Sequence, residues 1–187
     1  MSLRVATASA HREVEQIGAL PERIASVADY AGCLQRYLSV LAPVERELAG
    51  FAEFHAQGID IGPRLRGGAI MQDLRRLGVA VPADAPQSGP ALLGGFGEAL
   101  GALYVTEGAS LGGQVIIRAV KARLGAAVSG ATAFFEGHGA ENGRMWAALR
   151  ADLDRIGAAN PAVLDAAARG ALLMFGRFGE ALRGNFA

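Results

Sequence analysis

The stretch YVTEGASLGGQVIIRAV, residues 104–120, decides how the chain is read. Leu103, Val115, Ile116 and Ile117 give it the apolar spacing of a helix, yet Gly108, Gly112 and Gly113 fall within two turns. Each glycine in a helix interior costs about 1 kcal/mol against alanine. Something approaches this helix so closely that side chains are excluded. Two readings stay open: a small-xxx-small pair, Gly108 and Gly112, lets another helix pack against it, or bare backbone makes room for a ligand.

Outward from this stretch, helical periodicity dominates. Val40, Leu41, Val44, Leu48 and Phe51 follow the i, i+3/4, i+7 rule, as do Leu164, Ala168, Ala171, Phe175, Phe178 and Leu182. Asn160 followed by Pro161 reads as an N-cap and first helical position. Alternating β-branched runs with hairpin turns are absent, so no strand is expected. The spacing predicts helices over 2–17, 28–54 with a bend near Pro43, 64–77, 90–105, 105–124, 130–155 and 161–183. The proline-rich stretch VAVPADAPQSGP, residues 79–90, reads as a connector within one all-α domain spanning 1–187.

At 187 residues the chain is large enough for a substantial core, and 51% apolar with 19% charged residues is ordinary for a folded protein. The formal net charge is zero and no basic run is present, which argues against nucleic acid as a partner. Cys33 is the single cysteine, which excludes an internal disulfide and fits a reducing cytosol. The first residues lack a secretory pattern, and the uncharged stretches are too short and broken to span a membrane. A cytoplasmic protein is expected, with neither nucleic acid nor membrane as partner.

Three histidines are candidates for chemistry. His138, in EGHGAENG, reads as a surface or helix-start residue, and His55 as the favourable cation of a last helical turn. His11 shares a helix face with Leu3, Thr7 and Val14 and is expected to point inward. It is either a core histidine bonded to a neighbour or a metal ligand. Glu15, four residues on, can accept a hydrogen bond from one ring nitrogen and leave the other for a metal. Arg4, two turns back and roughly 10 Å away, suits a carboxylate at the edge of the same ligand. No HExxH, CxxC or i, i+4 histidine pair accompanies His11, so a metal there brings most of its own ligands, as porphyrin iron does.

Five segments in order resemble the biliverdin-producing heme oxygenases, in particular the compact bacterial type associated with bacteriophytochromes. They are LRVATASAH at 3–11 with Glu15, DYAGCLQRYLSVLAPVERELA at 29–49, IMQDLRRLG at 70–78, LGALYVTEGASLGGQVI at 100–116 and FFEGHGAENGRMWAAL at 134–149. The resemblance implies a single-domain multi-helical bundle with heme sandwiched between a proximal and a distal helix. It implies that His11 binds the iron, with Arg4, Glu15, Tyr104, Gly108, Ser110, Gly112 and Gly113 around the heme. His11, Gly108, Gly112 and Gly113 would then serve the reaction, the glycines because side chains would collide with the macrocycle or with oxygen.

The activity implied is oxidative opening of heme at a meso carbon, giving biliverdin, carbon monoxide and ferrous iron. Oxygen and an electron donor such as ferredoxin, flavodoxin or a reductase are the implied partners, with a bacteriophytochrome as a recipient of biliverdin. One position departs from the family. Animal members carry an aspartate, and compact bacterial members often a serine, where this chain has Ala109. Ser110, Thr106, Glu107 and waters near Asn142 are the remaining candidates for proton delivery. The alternative reading is a heme sensor or carrier of the same fold without turnover.

Overall fold

A computed structural model describes residues 3–81 and 91–186; Ser2 and residues 82–90, the first position of the expected opening helix and most of the expected connector, lie outside them. The helices are α1 (Leu3–Gly18), α2 (Val27–Gly50), α3 (Ala52–Ala56), α4 (Gly67–Arg76), α5 (Phe96–Leu124), α6 (Ala133–Glu136), α7 (Asn142–Ala159) and α8 (Pro161–Leu182). Short 3₁₀ turns occupy Gly62–Arg64, Gly125–Val128 and Gly139–Glu141. The described residues contain no strand, as the sequence leads one to expect.

Boundaries depart from expectation in instructive ways. Residues 96–124 form one 29-residue helix rather than two. Its glycines fail to break it because the neighbouring Ala102, Leu103, Val105, Ile117 and Val120 are buried against other elements, and tertiary packing outweighs propensity. α2 runs through Pro43 and stops instead at Gly50, where Phe51 turns to extended backbone and opens α3. Expected helix 130–155 is divided into α6, a 3₁₀ turn and α7, because Gly137 and Gly139 take φ of 64° and 59°, a region that side chains disfavour.

Caps explain where several helices start. Ser26 and Asp29 form a reciprocal capping box ahead of α2. Asn160 precedes Pro161 at the start of α8 in the expected arrangement. Other starts are capped from a distance. The carboxylate of Glu45 accepts from the backbone N–H of Arg66 (2.6 Å) and Gly67 (2.9 Å), and that of Asp73 accepts from Ala133 (3.0 Å) and Phe134 (2.8 Å). Burial pushes both carboxyl groups above their ordinary range, while these amide donors oppose the shift. Each cap joins two elements: α2 to α4, and α4 to α6.

The core lies where α2 and α5 meet α8, around Tyr30, Leu34, Leu100, Leu103, Met174 and Leu182. Tyr30 satisfies its buried hydroxyl by donating to the Ala131 carbonyl at 2.8 Å. Cys33 is buried as a small core residue, its thiol pushed up to about 12 by burial. Beyond α8 the chain is held by two guanidinium groups. Arg23 donates to the carbonyls of Ile17 (2.9 Å), Leu182 (2.8 Å) and Gly184, and Arg36 to those of Ala181 (2.8 Å) and Asn185 (2.5 Å). No helix of the described residues is long and apolar enough to cross a membrane.

Candidate functional site

α1 and α5 each pack along α8 much more than on one another, and α7 leans on both α5 and α8. The space between them is a cleft of about 1330 Å³. Ordinary small-molecule pockets hold ~300–1,000 Å³. Phe175, Phe178 and Leu182 of α8 form part of its lining, with α1, α5 and α7 as walls.

The α1 wall carries Arg4, Thr7, His11, Val14 and Glu15. Leu3 and Thr7 are buried and Val14 is half-buried, as the face pattern implies, but His11 is not a core residue. Its side chain is 56% exposed and lines the cleft. The reason is geometric: Val14, Ile17 and Gly18 lie against Gly179 and Leu182 of α8, whereas His11 stands to the side of that contact, beside the Phe175 ring. Glu15 Oε2 lies 3.4 Å from His11 Nδ1, and the Phe175 ring meets the imidazole edge-on at 5.5 Å. The His11–Glu15 pair is at ion-pair distance without hydrogen-bond geometry; Nδ1 is the nitrogen nearer Glu15.

The α5 wall separates its glycines. A Cβ placed on Gly112 would have nothing within 4 Å, and one on Gly108 would make only ordinary contact with Trp146 at 3.5 Å. Both line the cleft with Tyr104, Ala109, Leu111, Val115 and Ile116. Gly113 is buried and faces away, where a Cβ would stand 2.6 Å from the Phe135 carbonyl oxygen. Ser110 is also buried, near Gly137, and does not line the cleft. Of the expected set, the cleft therefore gathers Arg4, His11, Glu15, Tyr104, Gly108 and Gly112, but not Ser110 or Gly113. The two glycine readings divide between neighbours: Gly113 permits close packing, and Gly112 leaves space. No family model matches the chain, and no curated protein matches it.

α7 supplies residues that sequence reasoning missed. Trp146, Arg150 and Asp154 recur at four-residue spacing and all line the cleft. Trp146 stacks at a tilt on Tyr104, ring centroids 4.9 Å apart, and the Arg150 guanidinium lies 5.9 Å from the Trp146 ring. Burial pushes the Tyr104 hydroxyl up, and the charges of Arg4 and Arg150 both oppose the shift. Two cations thus act on one tyrosine of the cleft. The signal was the i, i+4 spacing of the sole tryptophan and an arginine, which has no meaning until α7 is known to face α1.

Behind α5, on the side away from the cleft, lies a buried charged cluster. Arg64 and Glu107, with side chains 6% and 2% exposed, form an ion pair at 2.8 Å, without hydrogen-bond geometry. His138 Nε2 stands 3.8 Å from the same carboxylate, its side chain 12% exposed. His138 does open a short helical turn, but it is not a surface residue: the chain reversal at Gly137 and Gly139 turns the ring inward. Burial holds its imidazole below the ordinary range; Glu107 opposes this, and Arg66 and Arg64 add to it. Thr106 spends its hydroxyl on the Leu103 carbonyl at 3.1 Å. His55 sits exposed in the last turn of α3, where its charge suits the helix end.

Proposed function

We propose that the cleft binds heme and that the protein is a heme oxygenase, opening the ring to biliverdin with release of carbon monoxide and ferrous iron. The observation that carries this is the pairing of an accessible His11 beside Glu15 on α1 with two glycines, Gly108 and Gly112, four residues apart on α5 of the same cleft. The lining suits a porphyrin: apolar surface from Phe175, Phe178, Val115 and Ile116, with Arg4 and Arg150 available for two carboxylates. Among the described residues no three His, Cys, Asp or Glu side chains could hold a bare metal ion together. A metal met by His11 would need to arrive in its own ligand set.

In this reading His11 Nε2 holds the iron and Glu15 fixes the ring and its tautomer. Gly108 and Gly112 leave room at the opposite wall, with the Tyr104 and Trp146 rings stacked beside Gly108. The bound heme supplies oxygen activation and is itself the substrate, with electrons from a donor such as ferredoxin, flavodoxin or a reductase. A bacteriophytochrome is a fitting recipient of the product.

A second reading, a non-catalytic heme sensor or carrier, is favoured by one observation. Ala109 lines the cleft, and Tyr104 is the only titratable side chain that α5 presents there. The experiment that separates the readings adds hemin, a reductant system and oxygen and records the visible spectrum. Decay of the heme band with growth of a biliverdin band supports the enzyme. A lasting oxy-heme spectrum supports the binder, and failure of hemin to bind overturns both.

A further inference from the structure

We infer that Arg64 is a positioning residue: from behind, it clamps the corner between α5 and α7, and thereby sets how the glycine wall stands over the cleft. In the 3₁₀ turn Gly62–Arg64, one buried guanidinium reaches both helices. Its Nη1 lies 2.8 Å from Glu107 Oε2 on α5 and donates to the Met145 carbonyl of α7 at 3.4 Å. The next residue of each helix, Gly108 and Trp146, lines the cleft, and a methyl placed on Gly108 would just reach the Trp146 ring, 3.5 Å away. The α5–α7 corner, which Tyr104 and Trp146 close on the ligand side with ring centroids 4.9 Å apart, is therefore held from the far side by Arg64.

The clamp matters because, past the Tyr104–Trp146 ring contact, the cleft face of α5 carries two bare glycines. Among the described residues, a Cβ on Gly112 would meet nothing there, and one on Gly108 only the Trp146 ring. Behind the helix, the Gln114 amide donates to the Glu136 carbonyl at 2.7 Å, and Gly113 meets Phe135. Those contacts hold the turns after Gly112, and Arg64 holds the turn before it. The electrostatics favour a fixed geometry. Glu107 faces Arg64, Arg66 and His138 in a buried setting, where a close opposite charge is weakly screened. Arg66 is held by its own partners, donating to the Ala133 carbonyl at 2.7 Å beside the carboxylates of Glu45 and Asp73. Among the described residues, the Nε of Arg64 and both oxygens of Glu107 lack hydrogen-bond partners, so Glu107 is held by the charges of its neighbours.

Removing one partner of a buried pair leaves an uncompensated charge, whereas replacing both with apolar residues is often neutral or stabilising. The test therefore compares Glu107→Gln with the double change Arg64→Met/Glu107→Leu, and adds Glu107→Asp, which keeps the charge but shortens its reach. Trp146 is the only tryptophan of the chain, so intrinsic fluorescence of the hemin-free protein reads this corner directly. The double variant is expected to melt near the wild type, yet emit at longer wavelength and be quenched more by acrylamide. Glu107→Asp should shift in the same direction by less. In the hemin-loaded protein, for the part of the inference that rests on the proposed function, 4-phenylimidazole should gain affinity relative to imidazole. A folded double variant with wild-type emission and quenching overturns the clamp and leaves the pair a stability element only. Glu107→Asp decides the same question by the same readout if the other variants do not fold. If wild-type protein takes up no hemin, the proposed function fails, while the fluorescence result still decides the clamp.

Discussion

The two halves of α5 use glycine for opposite ends. In its first half, α5 presses on α8 through a seam in which Gly97 would place a Cβ 2.5 Å from that of Ala166. Gly101 would drive its Cβ into the Ala167 carbonyl, and Gly170 of α8 would do the same to that of Glu98. There the missing side chain is filled by a neighbouring backbone. Two turns later, Gly108 and Gly112 border a cleft, and no backbone comes near. The same residue in the same helix marks the tightest contact and the most open surface, so glycine content alone cannot say which is which. What differs is the partner: α8 runs under the first half, while in the second Gly113 backs onto the Phe135 carbonyl and Gly108 and Gly112 face the cleft.

The largest effect is expected at the seam. Gly101→Ala forces α5 and α8 apart along their contact and should destabilise the fold by at least about 3 kcal/mol. Chemical denaturation checks this, and a fully stable variant would mean that the seam is looser than its geometry implies. Next comes the buried cluster that backs the open half. Because the folded chain holds His138 below its ordinary range, the unfolded chain binds that proton first as pH falls. His138 therefore removes stability once pH drops below roughly 6.5, and stability returns as pH rises through that value. Melting curves for wild type and His138→Gln should diverge in slope across this window, the variant being flatter. The raised carboxyls of Glu45 and Asp73 act in the opposite sense at lower pH in both proteins, so their contribution cancels in the comparison.

Effects on the fold become small, and change sign, within the open half. Gly112→Ala adds a methyl to empty space and removes a helix-weakening residue, so stability should rise by up to about 1 kcal/mol. The hemin-loaded variant should nonetheless yield less biliverdin per bound heme. Normal yield would show that the gap at Gly112 exceeds what the ligand needs. His11→Ala should shift stability least, within about 0.5 kcal/mol, because the side chain is largely exposed. It should abolish the histidine-ligated heme spectrum while His55→Ala leaves that spectrum intact. An unchanged spectrum in His11→Ala removes α1 from the proximal wall.

Much of this contrast is legible in the order of the residues alone. The all-helical class follows from periodicity, and the start of α8 from Asn160–Pro161. Arg4, His11 and Glu15 share a surface because residues four and seven apart on a helix must. What periodicity cannot carry is the relation between helices. It puts His11 on the apolar face of α1 without revealing that a cleft opens beside it there. Nor can it distinguish Gly112 from Gly113, since adjacent residues lie about 100° apart around the axis and only tertiary packing shows which side is filled. His138 deceives for a similar reason. A glycine-bounded polar turn looks external unless one knows that a buried carboxylate, Glu107, waits beneath it. Trp146 and Arg150 escape notice because α7 offers no chemistry of its own.

The guanidinium of Arg23 has a mechanical consequence for the cleft. By taking carbonyls from the end of α1 (Ile17) and from the end of α8 (Leu182, Gly184), it fastens those two helix ends like a hinge pin. The opposite end of α1, near Arg4, has no such fastening in the hydrogen bonds of the described residues beyond its own turn, where Thr7 bonds Leu3. Hydrogen bonds thus fasten one end of this wall, while the packing of Leu3 and Thr7 holds the other, so the least costly widening of the cleft begins at Arg4.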